Sequence, residues 1–157
     1  MKLPTIPAHE TADEYMTDHP EATVKLLEAL ASNELPPAYH EHPLVVAHTD
    51  ELIMPWGLYM DSVPHSLVDS VLGVWLINLI TGWRSMLCLV RKRVVCSCSC
   101  RGWCTYYHLM IWLRWAFDAM ADSTWPTSRH DGQPWADGRD TLRSALAGTR
   151  IKFRASS

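Results

Sequence analysis

Four cysteines fall within nine residues, Cys96, Cys98, Cys100 and Cys104, in the pattern C-x-C-x-C-x3-C. His108 follows four residues on, and Cys88 lies upstream. Zinc takes four soft, deprotonated ligands in a tetrahedron, which thiolates and imidazoles can supply. The spacing is not that of a C-x2-C finger, so a single ion would need a tightly turning backbone, which Gly102 favours. Two readings stand side by side: a structural zinc site drawn from Cys96, Cys98, Cys100, Cys104 and His108, and thiols that are free or weakly liganded. The chain opens on MKLPTIPAHE, with no apolar export segment. Five cysteines is an odd count, and four sit too close together for a disulfide framework, so reduced thiols and an intracellular protein are expected.

Asp61 is the second chemical candidate. It interrupts an apolar, strand-like stretch, and a carboxylate there is costly unless it binds a cation, pairs or reaches solvent at a strand end. Arg91, Lys92 and Arg93, with Arg101 nearby, form a basic cluster suited to phosphate contacts that are salt-sensitive and sequence-independent. Other polar groups read more plainly. Asp69 fits a turn, His130 and Asp131 beside Gly132 fit a loop, and His40-Glu41-His42 fits a solvated linker with no further ligand spacing.

The elements that must position these groups follow from periodicity. Thr11 to Glu14 has capping-box spacing for a short helical turn. Pro20-Glu21 opens a helix with Val24, Leu27, Leu30 and Ala31 on one face and Asn33 as its stop. Residues 35–55 read as linker. Gly57 to Val63, closed by Pro64, reads as a strand with Tyr59, Asp61 and Val63 on one face. The apolar run over Ser70 to Thr81 predicts a strand buried on both faces. Thr81-Gly82-Trp83-Arg84 then makes an antiparallel hairpin to a third strand over Ser85 to Val95. Tyr106 to Ala121 is a helix with Leu109, Trp112, Leu113, Ala116, Phe117 and Met120 inward. A short helix over 138–147 and a strand-like Arg150 to Arg154 close the chain. The predicted architecture is α+β: a three-stranded antiparallel sheet packed by one long buried helix, after an N-terminal helical region. Residues 1–55 are the acidic helical segment and linker, 56–121 the core with its cysteine-rich insertion at 96–104, and 122–157 a polar tail.

At 157 residues and 48% apolar, the chain can bury one core. Its net charge of −3 divides into −8 over residues 1–60 and +5 over residues 61–157, which fits a polyanionic partner or a clamp between the halves. No membrane span is expected. Val71 to Trp83 is shorter than the roughly 20 residues needed, and Thr105 to Ala121 carries His108, Arg114 and Asp118. A membrane hairpin lipidated on the cysteines is the minor alternative.

The strand LYMDSV, the run DSVLGVWLINLITG, the basic hairpin end and C-x-C-x-C-R-G-W-C together resemble a group of eukaryotic transposon-like proteins. In that group a D-G-V strand leads similar blocks that end in R-H-D-G-x-P-W, like Arg129 to Trp135 here. The group is distantly similar to the catalytic core of CACTA-type DDE transposases, and the likeness covers roughly residues 56–136. It implies a partial RNase H-like core, with Asp61 at the position of the first catalytic, Mg²⁺-binding acid. Three acids holding two such ions suit phosphodiester cleavage. Ser62 and Ser99 stand where the group has glycines. The second acid would lie on a fourth strand that only begins at Ile151. The resemblance therefore implies a truncated or degenerate transposase-like copy, catalytically incomplete, that binds DNA in the nucleus through Arg91, Lys92, Arg93 and Arg101. The alternative is a small zinc-stabilised interaction module. Oligomeric state is not legible in either.

Overall fold

The computed structural model describes residues 5–64, 66–67, 69–136, 138–151 and, as backbone, 154–156. Helix α1 (Ala8–Asp18) starts directly after Pro7, whose backbone is extended, three residues before the expected turn at Thr11. Thr11 is buried in the first turn, and its hydroxyl donates to the Pro7 carbonyl at 3.1 Å instead of capping a helix start. Helix α2 (Glu21–Ala31) follows Pro20, and Asn33 stops the segment in the left-handed region at φ 55°. Its buried side chains are Ala22 and Leu26; Val24 and Leu27 are exposed, which corrects the expected face. The reason is where α2 docks: Ala22 and Leu26 pack with Tyr15 and Met54 in a small core of their own.

The segment read as linker is partly folded. Pro37 and Pro43 open two one-turn helices, α3 (Pro37–His40) and α4 (Pro43–Ala47), and β1 (Glu51–Ile53) follows. The Tyr39 hydroxyl donates to the Ile53 carbonyl at 2.9 Å, fastening α3 to β1.

Three antiparallel strands, β2 (Trp56–Pro64), β3 (Ser70–Asn78) and β4 (Arg84–Arg91), form the main sheet in the order β2-β3-β4. β3 ends at Asn78, not Thr81, because the Asn78 side chain accepts from the N–H groups of Ile80 and Thr81, both at 3.0 Å, and starts the turn. Gly82, at φ 73°, completes it. β4 stops at Arg91, and Lys92–Val94 form a 3-10 turn where strand was expected. β3 is not buried on both faces. Val74, Leu76 and Asn78 are fully enclosed on one side. On the other, the Trp75 ring lies over Gly73, leaving no room for a Cβ there, and Tyr59, Val63, Met86 and Leu89 are exposed. A register shift between Val74 and Trp75 turns two consecutive β4 residues, Leu87 and Cys88, into the core.

Helix α5 (Trp103–Asp122) lies on the enclosed side, burying Leu109, Trp112, Leu113, Ala116, Ala119 and Met120. It starts at Trp103, before the expected Tyr106, because Gly102 at φ 90° redirects the chain into it. Among the described residues no helix is long and apolar enough to cross a membrane. Past α5, Trp125 and Ile151 close the core, and α6 (Thr141–Leu146) falls within the expected range. Arg143 forks onto the Glu10 carboxylate, tying α6 to α1, with its second contact at 3.0 Å. The last strand, β5 (Arg154–Ser156), pairs with β1 in a separate two-stranded sheet and does not extend the main one.

Candidate metal centre and its basic rim

The cysteine loop is folded by two consecutive left-handed residues. Arg101 at φ 55° and Gly102 at φ 90° reverse the chain so that Cys104 enters the first turn of α5 facing back toward the loop. Only glycine suits the second position: a Cβ on it would come within 2.7 Å of Val95 Cγ1 and 2.8 Å of Tyr106. Thr105 Oγ1 accepts from the Cys96 N–H at 3.0 Å, and the Cys100 carbonyl accepts from the Trp103 N–H at 3.1 Å. These bonds hold both ends of the loop against the helix start.

The result is convergence. The sulfurs of Cys96, Cys98, Cys100 and Cys104 all lie within 4.8 Å of one another. Cys100 is at the centre, with Sγ separations of 3.2 Å to Cys96, 2.9 Å to Cys98 and 3.4 Å to Cys104. A tetrahedral zinc thiolate site with Zn–S of about 2.3 Å has sulfur–sulfur edges of about 3.8 Å. Small outward shifts of the thiols reach that spacing, so these four residues fit a metal ion such as zinc. His108, one turn along α5, is exposed and lies outside this group of four.

The electrostatics of the cluster favour one negative charge and oppose more. A hydrogen bond from Cys98, the Cys104 N–H and Cys96 lower the Cys100 thiol to about 6. Cys104 is pushed up to about 12 by its hydrogen bonds with Cys100 and Cys98 and by their negative charge, and Cys98 is raised by Cys100. A divalent cation among the sulfurs removes that mutual opposition, so uptake would release protons. Cys88 is different in kind: buried in β4, its thiol is pushed up to about 11 by desolvation.

Beside this cluster the ends of the three main strands form a concavity lined by Arg91, Lys92, Arg93 and Arg101, with Ser62, Ser70, Cys96 and Tyr106. The four sequence-predicted cations therefore come together. Arg91 is engaged: its guanidinium contacts Asp69 at 2.9 and 3.1 Å. Desolvation works against the Asp69 charge, but Arg91 and the Arg93 N–H outweigh it and hold the carboxyl below its usual range. Asp69 also keeps its turn role, accepting the Ser66 N–H on its carbonyl at 3.0 Å. Among the described residues Asp69 is the sole acid lining the concavity, so it leaves Lys92, Arg93 and Arg101 as a net positive rim.

Asp61 sits on the exposed face of β2, opposite Gly73 of β3. The Tyr59 hydroxyl donates to Oδ2 at 3.0 Å, and the Ser62 N–H donates to Oδ1 at 2.8 Å. The same bond raises the Tyr59 hydroxyl above its ordinary range. Among the described residues, the cysteines are the one group of three or more metal-binding side chains close enough to share an ion, and Asp61 belongs to no such group. The Arg129 to Trp135 element is a closed loop. Asp131 Oδ1 accepts from the Gln133 N–H at 3.1 Å, and His130 and Trp135 pack against Trp115. No protein-family model, no curated protein and no solved structure matches the chain. The site rests on its own geometry.

Proposed function

We propose that this chain is a zinc-stabilised α+β module that holds the nucleic-acid backbone on the basic rim beside its metal site. The convergence of four cysteine sulfurs within 4.8 Å carries the reading. Cys96, Cys98, Cys100 and Cys104 would hold the ion, whose chemistry there is structural: it fixes thiolates and closes the loop without an open position for substrate. Lys92, Arg93 and Arg101 would take phosphate oxygens, and the serine hydroxyls of the concavity add neutral donors. A DNA partner would place the protein in the nucleus.

A second reading, a catalytically incomplete DDE transposase-like fragment with an RNase H-like ancestry, is favoured by one feature. Three antiparallel strands carry Asp61 on the first and lead into a helix. A working two-Mg²⁺ site needs further acids beside Asp61, and both oxygens of that carboxylate already accept hydrogen bonds from its own strand. The two readings agree on nucleic-acid binding and on the absence of strand cleavage.

The test is fluorescence anisotropy of a labelled DNA duplex with zinc-loaded protein across a salt series. Three phosphate contacts predict a log–log slope of about −3. Reversal of Lys92, Arg93 and Arg101 to Glu should abolish binding. Binding that ignores salt, or none at all, contradicts the proposal. DNA nicking in Mg²⁺ or Mn²⁺ that Asp61→Ala removes would instead restore an enzymatic role.

A further inference from the structure

The start of α5, which follows Arg101 of the basic rim in the chain, presents two aromatic rings to solvent. Trp103 is 59% exposed and Tyr107 48% exposed, although both are large enough to belong in a core. One turn apart, their rings touch at a centroid distance of 5.8 Å and a tilt of 47°. Neither is needed by the interior, since α5 buries the opposite side through Leu109, Trp112 and Leu113. Arg101 precedes Trp103 by two residues and lines the concavity, as does Tyr106, the neighbour of Tyr107.

Charge says what could cover these rings. From Ser70 through Phe117 the chain has no aspartate or glutamate and six arginines or lysines. An occupant must therefore offer negative charge to the concavity and flat apolar faces to the rings at the same time. Nucleic acid offers both, but in a duplex the base faces are stacked on each other and closed to a side chain. In a single strand every base has a free face, and stacking on an aromatic ring contributes about 1–3 kcal/mol per base. A bilayer fits less well, because the cations line a concavity that a flat surface cannot enter.

Resting on the nucleic-acid reading above, we infer that the preferred ligand is single-stranded nucleic acid, with phosphates on Lys92, Arg93 and Arg101 and an unpaired base stacked on Trp103 and Tyr107. The metal site would serve this arrangement. Cys100 and Cys104 flank Arg101 and Trp103 in the chain, so an ion holding both sulfurs fixes cation and ring relative to one another.

The experiment compares a labelled thymidine oligomer, a uridine oligomer and a DNA duplex of equal length, by anisotropy with the zinc-loaded full chain. The single strands should bind more tightly than the duplex. Trp103→Ala should weaken thymidine-oligomer binding about tenfold or more and leave duplex binding and the salt slope unchanged. Trp103→Phe should keep most of the preference. Both substitutions lie on the surface, and unchanged zinc content checks that the fold survives. Equal binding of strand and duplex, with Trp103→Ala silent, overturns the inference while leaving the backbone-binding proposal standing. Loss of all oligomer binding overturns both. Trp103-dependent self-association, or capture by anionic vesicles without oligomer binding, would assign the rings to another partner and overturn the inference as well.

Discussion

The cysteine loop and Asp61 are the two places where the chain offers reactive groups in a suggestive setting, and folding treats them in opposite ways. The loop draws four sulfurs from nine contiguous residues into a single cluster. Asp61 stays on an open sheet face, engaged by its near neighbours Tyr59 and Ser62. The difference is one of range. Contiguous ligands need only a local reversal, which Arg101 and Gly102 supply. A carboxylate site needs acids brought from distant elements, and here the other two strands of the sheet, β3 and β4, carry none: Gly73 faces Asp61, and the residues along β4 are apolar, Ser or Arg apart from Cys88.

Removing one of the four converged thiols should have the greatest consequence. Cys104→Ser should reduce bound zinc from one equivalent to none. It should also lower stability by about 4 kcal/mol where free zinc is near a thousandfold above its Kd. Metal analysis and thermal unfolding with and without added zinc read both effects.

A third polar group sharpens the contrast, because it is solitary and buried. His9 is 1% exposed, packed edge-on against Trp115 and Trp125 at 4.9 and 5.4 Å, and its Nδ1 has no hydrogen-bond partner. Burial first, then Arg143, lowers it to about 4, against the Ala116 carbonyl. The unfolded chain takes up this proton near pH 6.5, so between there and 4 the unfolded state binds more protons and stability falls as pH falls. The loss should approach about 3 kcal/mol by pH 4, and His9→Leu should flatten that limb of the profile in denaturant titrations.

Arg143→Ala should cost about 1 kcal/mol, since its pairing with Glu10 is partly exposed. It should also narrow the acid window by removing a positive neighbour of His9. Hydrogen exchange should speed up over α6. The smallest effect falls on the solitary surface acid: Asp61→Asn should change stability by no more than about 0.5 kcal/mol, with zinc content and DNA affinity unchanged.

Much of this was legible in the chain. The three strands, their hairpin and the long helix follow from runs whose period and length leave little choice, and the cysteine spacing marked its own site. The misreadings share a cause: they concern what lies across from a residue. Nothing in the run over Ser70 to Thr81 says that Trp75 will fold over Gly73 and leave that face open. The amphipathic pattern of α2 pointed to Val24 and Leu27, but docking on Tyr15 and Met54 selected Ala22 and Leu26. His108 has ligand-like spacing from Cys104, yet the group of converged side chains is made of the four cysteines alone. The Arg91–Asp69 and Arg143–Glu10 pairs join residues 22 and 133 positions apart and left no local trace. Trp103 lay before the expected helix start at Tyr106, so its meeting with Tyr107 one turn along α5 left no signal in the chain.

If the four converged thiols are one metal site, zinc content of the reduced protein and thiol reactivity in the folded state must agree. One zinc per chain is expected, with Cys96, Cys98, Cys100 and Cys104 unreactive until a chelator removes the ion. A metal-free protein whose loop thiols react at once, and which gains no stability from added zinc, would contradict it.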